Sequence, residues 1–248
     1  MHDGNDRISR REFVAATGSA AALAMAPAGL WPARAGRQAA GTTVLFQGDS
    51  ITDCGRDRGV AEPNVAAALG TGYPLLVAAR LLSSRPEAGY RIFDRGVSGN
   101  TVPDLDARWQ PDTLDLKPDV LSILIGVNDL WHKLMGRYAG TIEEYEAGYA
   151  ALLDRTRRAL PGVRIVVLEP FALRTGAVTD AWFPEFDQRR AAAARVAERA
   201  GATFVALQAM FDRLTARAPA AYWASDGVHP TPAGHGAIAE EWTRTVGL

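Results

Sequence analysis

Two stretches at opposite ends of the chain hold residues that together could transfer an acyl group. The first reads Val44-Leu45-Phe46-Gln47-Gly48-Asp49-Ser50-Ile51-Thr52-Asp53 and sets Ser50 directly after an apolar, strand-like run. A serine hydroxyl is a weak nucleophile until a base takes its proton, so Ser50 needs a histidine held by an acid. Alone, Gly-Asp-Ser reads equally as a helix cap or a turn. The second stretch, Tyr222-Trp223-Ala224-Ser225-Asp226-Gly227-Val228-His229-Pro230-Thr231-Pro232, supplies both partners three residues apart. With Gly227 allowing a tight turn, the Asp226 carboxylate can accept from His229 Nδ1–H while Nε2 faces outward as a general base. The competing assignment is structural, with Asp226 and His229 capping a last helix that Thr231 and Pro232 announce.

Acyl transfer also needs donors aimed at the developing oxyanion. The backbone N–H of Ser50 is one. Gly99, in Gly96-Val97-Ser98-Gly99-Asn100-Thr101, lacks a Cβ and lets its N–H approach a ligand; Asn128, in Gly126-Val127-Asn128-Asp129, offers a side-chain amide. Each taken singly is also an ordinary turn or cap residue. Ser98 and Cys54 are rival nucleophiles, without the position that Ser50 holds after the first strand. His132, His229 and His235 lack zinc-type spacing, so no metal is expected, and the proposed chemistry needs no organic cofactor. A phosphate site at the first junction is disfavoured because the G-x-x-x-x-G-K-[ST] pattern is missing and Asp49 would repel the anion.

These residues need a scaffold that brings distant segments to one rim. Residues 43–46, 91–93, 120–125, 164–168 and 203–205 read as short strands, while 73–83, 142–160, 186–200 and 232–246 carry helical spacing. Such alternation implies one α/β domain, a doubly wound parallel sheet with helices on both faces. Ligands then bind beyond the carboxyl ends of the strands, where the candidate residues fall.

Composition supports a single buried core: 248 residues, 48% hydrophobic, 22% charged, with a net charge of −1. No basic run marks a nucleic-acid or anionic-membrane surface. Ser9-Arg10-Arg11-Glu12-Phe13-Val14, an apolar stretch over 15–28 and Ala33-Arg34-Ala35 have the layout of a twin-arginine export signal with its cleavage site. Residues 1–35 are therefore assigned to the signal and 36–248 to the domain, and the protein is expected to be exported, either secreted or periplasmic. Beyond the signal no stretch approaches the roughly 20 apolar residues of a membrane span, so no stable membrane association is expected after cleavage. Cys54 is the only cysteine, which rules out an intramolecular disulfide.

With these residues in order along residues 43–246, the chain resembles the SGNH hydrolases: Ser50 in Gly-Asp-Ser-Ile, Gly99 in the second block, Asn128 in Gly-Val-Asn-Asp and His229 in Asp-Gly-Val-His-Pro. The resemblance implies a flavodoxin-like three-layer α/β/α sandwich with a mainly five-stranded parallel sheet. It implies a Ser50–His229–Asp226 triad with an oxyanion hole of Ser50 N–H, Gly99 N–H and the Asn128 amide. Asp94 departs from the asparagine common at its position. The stretches Asp53-Cys54-Gly55-Arg56, Gly70-Thr71-Gly72-Tyr73, Arg108-Trp109 and Asn128-Asp129-Leu130-Trp131 are similar to the bacterial acetylxylan esterase branch. That similarity implies hydrolysis of O-acetyl esters on xylan or xylo-oligosaccharides, with Trp131, Tyr222 and Trp223 placed to stack on sugar rings. Members of that branch are often oligomers, so a homo-oligomer is one state the resemblance allows. A lysophospholipase or thioesterase of the same fold, and a non-catalytic carbohydrate-binding protein, are the alternatives.

Overall fold

The computed structural model describes residues 41–248, so the export signal read at 1–35 lies outside the described residues. In chain order the elements are β1 (Thr43–Gly48), α1 (Ser50–Asp53), α2 (Ala66–Leu69), α3 (Tyr73–Ser84), β2 (Arg91–Asp94), α4 (Val102–Trp109), β3 (Val120–Leu124), α5 (Val127–Leu134), α6 (Ile142–Ala159), β4 (Arg164–Leu168), α7 (Glu185–Arg199), β5 (Thr203–Val205), α8 (Leu207–Thr215), α9 (Ala220–Trp223) and α10 (Pro232–Val246). The five strands are all parallel, in the order β2-β1-β3-β4-β5. This is the expected doubly wound sandwich. Strand order reverses at β1, between β2 and β3, and a crevice opens beyond the strand ends at such a switch point.

Strand alternation feeds two cores. Val44 and Phe46 of β1 and Val166 and Leu168 of β4 face one side, where α3 and α10 pack together with Val77, Leu81, Ile238 and Trp242. Leu45, Ile123, Ile165 and Val167 face the other, under Leu105 and Trp109 of α4, Tyr145 and Tyr149 of α6 and Val196 of α7. Both faces of the central strands are apolar because both are covered. Two indole donors within these cores find partners: Trp242 Nε1 donates to Ser122 Oγ at 3.0 Å and Trp109 Nε1 to Thr156 Oγ1 at 2.9 Å.

Besides the single turns α1, α2 and α9, three longer helices, α4, α5 and α8, were not legible from periodicity. Each has only eight or nine residues, too few turns for a clear apolar stripe. For α4 a local signal exists in Thr101 and Asp104, which form a reciprocal capping box, with a proline in the first turn.

Candidate active site

Beyond the end of β1 the chain turns at once into the single turn α1. Asp49 caps it by accepting from Ile51 N–H at 3.0 Å. Ser50 is therefore the first helical residue, and its own N–H has no intrahelical acceptor and is free for a ligand. From the other end of the chain, His229 Nε2 lies 2.9 Å from Ser50 Oγ. His229 Nδ1 in turn lies 2.6 Å from Asp226 Oδ2. An ionised Asp226 can only accept, so the imidazole proton sits on Nδ1 and Nε2 is left to accept from the serine hydroxyl.

The acid is held as firmly as it holds. Asp226 Oδ1 accepts from His229 N–H at 2.7 Å and from Val228 N–H at 2.9 Å. Burial pushes the Asp226 carboxyl up, but the hydrogen bonds from the His229 ring, the His229 backbone and the Val228 backbone outweigh it and hold it below its ordinary range. Capping of α10 falls instead to Thr231, whose side chain accepts from Gly234 N–H, so the structural assignment of Asp226 and His229 fails. Gly227 turns at φ +88°, and a Cβ there would lie 2.3 Å from Leu173 O. Leu173 N–H donates to Gly227 O and Ala177 N–H to Asp226 O, so the segment after β4 straps the acid's loop in place.

The candidate oxyanion donors come from the neighbouring strand ends. Gly99 has φ +84°, and the space where a Cβ would point is open. Asp53 sets this loop: its Oδ2 accepts from Ser98 N–H at 2.9 Å and Ser98 Oγ at 2.7 Å and pairs with Arg58. Burial works against charge on Asp53, yet the bonds from Arg58 and Ser98 prevail and lower its pKa. Asn128 is buried in the first turn of α5, and its Nδ2 donates to Asn100 O at 3.0 Å. One amide hydrogen thus joins the second and third blocks, leaving the other for substrate. Arg108 closes the frame, donating to Asn100 Oδ1, Arg95 O and Gly48 O. Asp94 accepts from Gly96 N–H at 2.7 Å beside Arg56, whose Nε donates to Gly96 O, and burial raises its pKa well above the ordinary carboxylate range.

The rival nucleophiles are both committed elsewhere. Ser98 donates to Asp53, as above. Cys54 Sγ lies 3.3 Å from His235 Nε2, but His235 Nδ1 accepts from Tyr73 N–H at 3.1 Å, which puts the imidazole proton on Nε2. That nitrogen is a donor toward the sulfur and cannot take its proton. Burial, with the nearby His229, lowers the pKa of His235 to about 4, so its neutral form persists.

Of the three aromatic candidates, Trp131 reaches the site, its ring centroid 5.8 Å from that of His229 and 5.6 Å from that of Trp182. Trp223 packs against the core and donates to Ala218 O at 3.2 Å, with Tyr222 edge-on to it and 56% exposed. Sequence reasoning missed Asp53 and Arg108 as organisers because their partners lie in other blocks. Among the described residues no group of three or more His, Cys, Asp or Glu side chains is arranged to hold a metal ion.

Comparison with known proteins agrees with the fold. Residues 46–237 match the GDSL-like lipase/acylhydrolase family. An acetylxylan esterase of Geobacillus stearothermophilus is 39% identical over 212 residues, 84% of this chain and 95% of that protein. Its crystal structure has a TM-score of 0.75, covering 84% of this chain and 96% of that one. Variants of that enzyme with alanine replacing a histidine or a serine are described as catalytic mutants. A GDSL-like protein from Parabacteroides merdae, 46% identical, superposes with a TM-score of 0.81 over 83% of this chain and 95% of that one.

Proposed function

This chain belongs to the GDSL-like lipase/acylhydrolase family and is a carboxylic ester hydrolase, and from that premise we propose that it removes acetyl groups from xylan or xylo-oligosaccharides through an acyl-enzyme on Ser50. The observation that carries the mechanism is the unbroken relay Ser50 Oγ–His229 Nε2 at 2.9 Å and His229 Nδ1–Asp226 Oδ2 at 2.6 Å. Ser50 attacks the ester carbonyl as His229 takes its proton, and ionised Asp226 offsets the imidazolium so formed. The oxyanion is received by the N–H groups of Ser50 and Gly99 and the second amide hydrogen of Asn128. His229 then gives the proton to the departing sugar oxygen, and water, deprotonated by the same base, attacks the acyl carbonyl and breaks its bond to Ser50 Oγ, releasing acetate. No step calls on a metal or organic cofactor.

The openness of the site supports a polymeric substrate. The side chains of His229 and Asp226 are 44% and 35% exposed, so a bulky polymer can approach them. Trp131 beside His229 offers an apolar face to a sugar ring, and the 39% identical acetylxylan esterase supports the same reading. Tyr222 and Trp223 remain candidates for contacts further along the saccharide. The signal-like segment over 1–35 supports action outside the cytoplasm, where such polymers are met.

A second reading, a lysophospholipase or thioesterase, draws on a mainly apolar cavity of about 570 Å³ lined by Val102, Pro103, Tyr138 and Gly148 together with Asp106 and Glu144. Acetate release from acetylated xylo-oligosaccharides, measured beside p-nitrophenyl acetate and a long-chain p-nitrophenyl ester, decides between them. Ser50-dependent release from the sugar is expected. Turnover confined to the long-chain ester would transfer the assignment to the lipid reading, and binding of xylo-oligosaccharide without any ester turnover to a carbohydrate-binding protein.

A further inference from the structure

Each of two proposed oxyanion donors has a buried acid beside it in sequence. Asp49 precedes Ser50 and is 1% exposed; Asp129 follows Asn128 and is 0% exposed. The two share one pattern. One oxygen of Asp49 accepts from Ile51 N–H at 3.0 Å, one oxygen of Asp129 accepts from Val102 N–H at 3.1 Å, and the second oxygen of each has no partner. A buried carboxylate with a single donor and an orphaned oxygen is an expensive place for a charge, whereas a neutral acid there costs far less.

Charge on Asp49 would also fall in the wrong place. The oxyanion forms at the N–H of the very next residue, and the imidazolium is already matched by Asp226. We propose, resting on the Ser50 mechanism above, that Asp49 is a positioning residue that works as a neutral carboxylic acid: it fixes the Ser50 turn through Ile51 and keeps negative charge away from the oxyanion donors. The groups facing it are His229 from the loop before α10, Asp129 from α5, and the phenols of Tyr73 on α3 and Tyr145 on α6. Of these only a protonated His229 favours ionisation. Burial dominates and lifts Asp49 to about 7, and burial likewise lifts Asp129 to about 6 although Arg189 opposes it. Because each charge disfavours the other, the two acids lose their protons as a coupled pair.

The test is the pH dependence of kcat/KM for p-nitrophenyl acetate in the wild type and in Asp49→Asn, whose amide keeps the Ile51 contact and can never ionise. The wild type is expected to lose activity above neutrality, by up to about tenfold per pH unit. Asp49→Asn is expected to match it within about threefold near pH 6.5 and to lose most of that alkaline limb. An unchanged limb in Asp49→Asn, or a folded Asp49→Asn that is inactive at every pH, would overturn the proposal. A carbon-13 NMR titration of the Asp49 carboxyl in the wild-type protein gives a reading free of any folding defect in the variant. A carboxyl protonated at pH 5.5 is expected, and one already ionised there overturns it. Ser50→Ala run alongside separates the two levels: turnover surviving in that variant ends the Ser50 mechanism, while the titration still reports the state of Asp49.

Discussion

Asp226 bonds His229 at both ring and backbone, and the two contacts do different work. The backbone contact shapes the turn, and the ring contact selects the tautomer with its proton on Nδ1. Asp226→Asn keeps the size but presents an amide that can turn its donor toward Nδ1. We expect kcat for p-nitrophenyl acetate to fall by about 10³–10⁴-fold with little change in KM, the size of loss that a wrong tautomer causes in the serine-protease triad. A fall of less than about tenfold would show that Asp226 only shapes the loop. The Asp226–His229 pair was legible because the two residues lie three apart on one loop, where type and spacing suffice. Asp53 was not legible, since its carboxylate serves Ser98, 45 residues away, and only the parallel pairing of β1 with β2 brings them together. The unpartnered oxygens of Asp49 and Asp129 lay beyond sequence reasoning for the same reason: burial belongs to the assembled fold.

The catalytic loop depends on an element that carries none of the chemistry. The segment after β4 gives Leu173 N–H to Gly227 O and Ala177 N–H to Asp226 O, while the carbonyls of Leu173 and Thr175 occupy the space where a Cβ on Gly227 would point. Gly227→Ala combines a positive φ with a Cβ only 2.3 Å from a carbonyl oxygen, so the strap must shift. A destabilisation of about 1–3 kcal/mol is expected, together with a fall in kcat beyond tenfold because His229 moves with the turn. Thermal unfolding and steady-state kinetics on one preparation would check both, and unaltered kcat with a lowered Tm would mean that the strap supports the fold without aiming the base. The five strands were foreseen within two residues at their ends because β-branched and aromatic runs are strong signals. Helices α4, α5 and α8 were hidden because tertiary packing, not periodicity, stabilises eight or nine residues.

Across the whole molecule, buried ionisable groups pull stability in opposite directions as pH changes. His235 ionises at about 4 when folded against 6.5 when free, so the native state binds fewer protons between those values. Its contribution is complete above pH 6.5 and is lost as pH falls toward 4. Asp49 is the reverse: raised from 3.8 to about 7, it is protonated in the native state across that interval. Its contribution is complete below pH 3.8 and is lost as pH rises toward 7. Two substitutions therefore separate the two limbs. His235→Asn, whose carbonyl can still accept from Tyr73 N–H, should narrow the drop in Tm between pH 7 and pH 4.5, whatever it costs at pH 7 through lost packing. Asp49→Asn should leave Tm nearly unchanged at pH 4 and raise it at pH 8, where the wild type carries a buried charge with one hydrogen bond. Tm profiles from pH 4 to 8 would decide, and a uniform downward shift in Asp49→Asn would mean that the folded protein tolerates the carboxylate and that its neutral form has no part in stability.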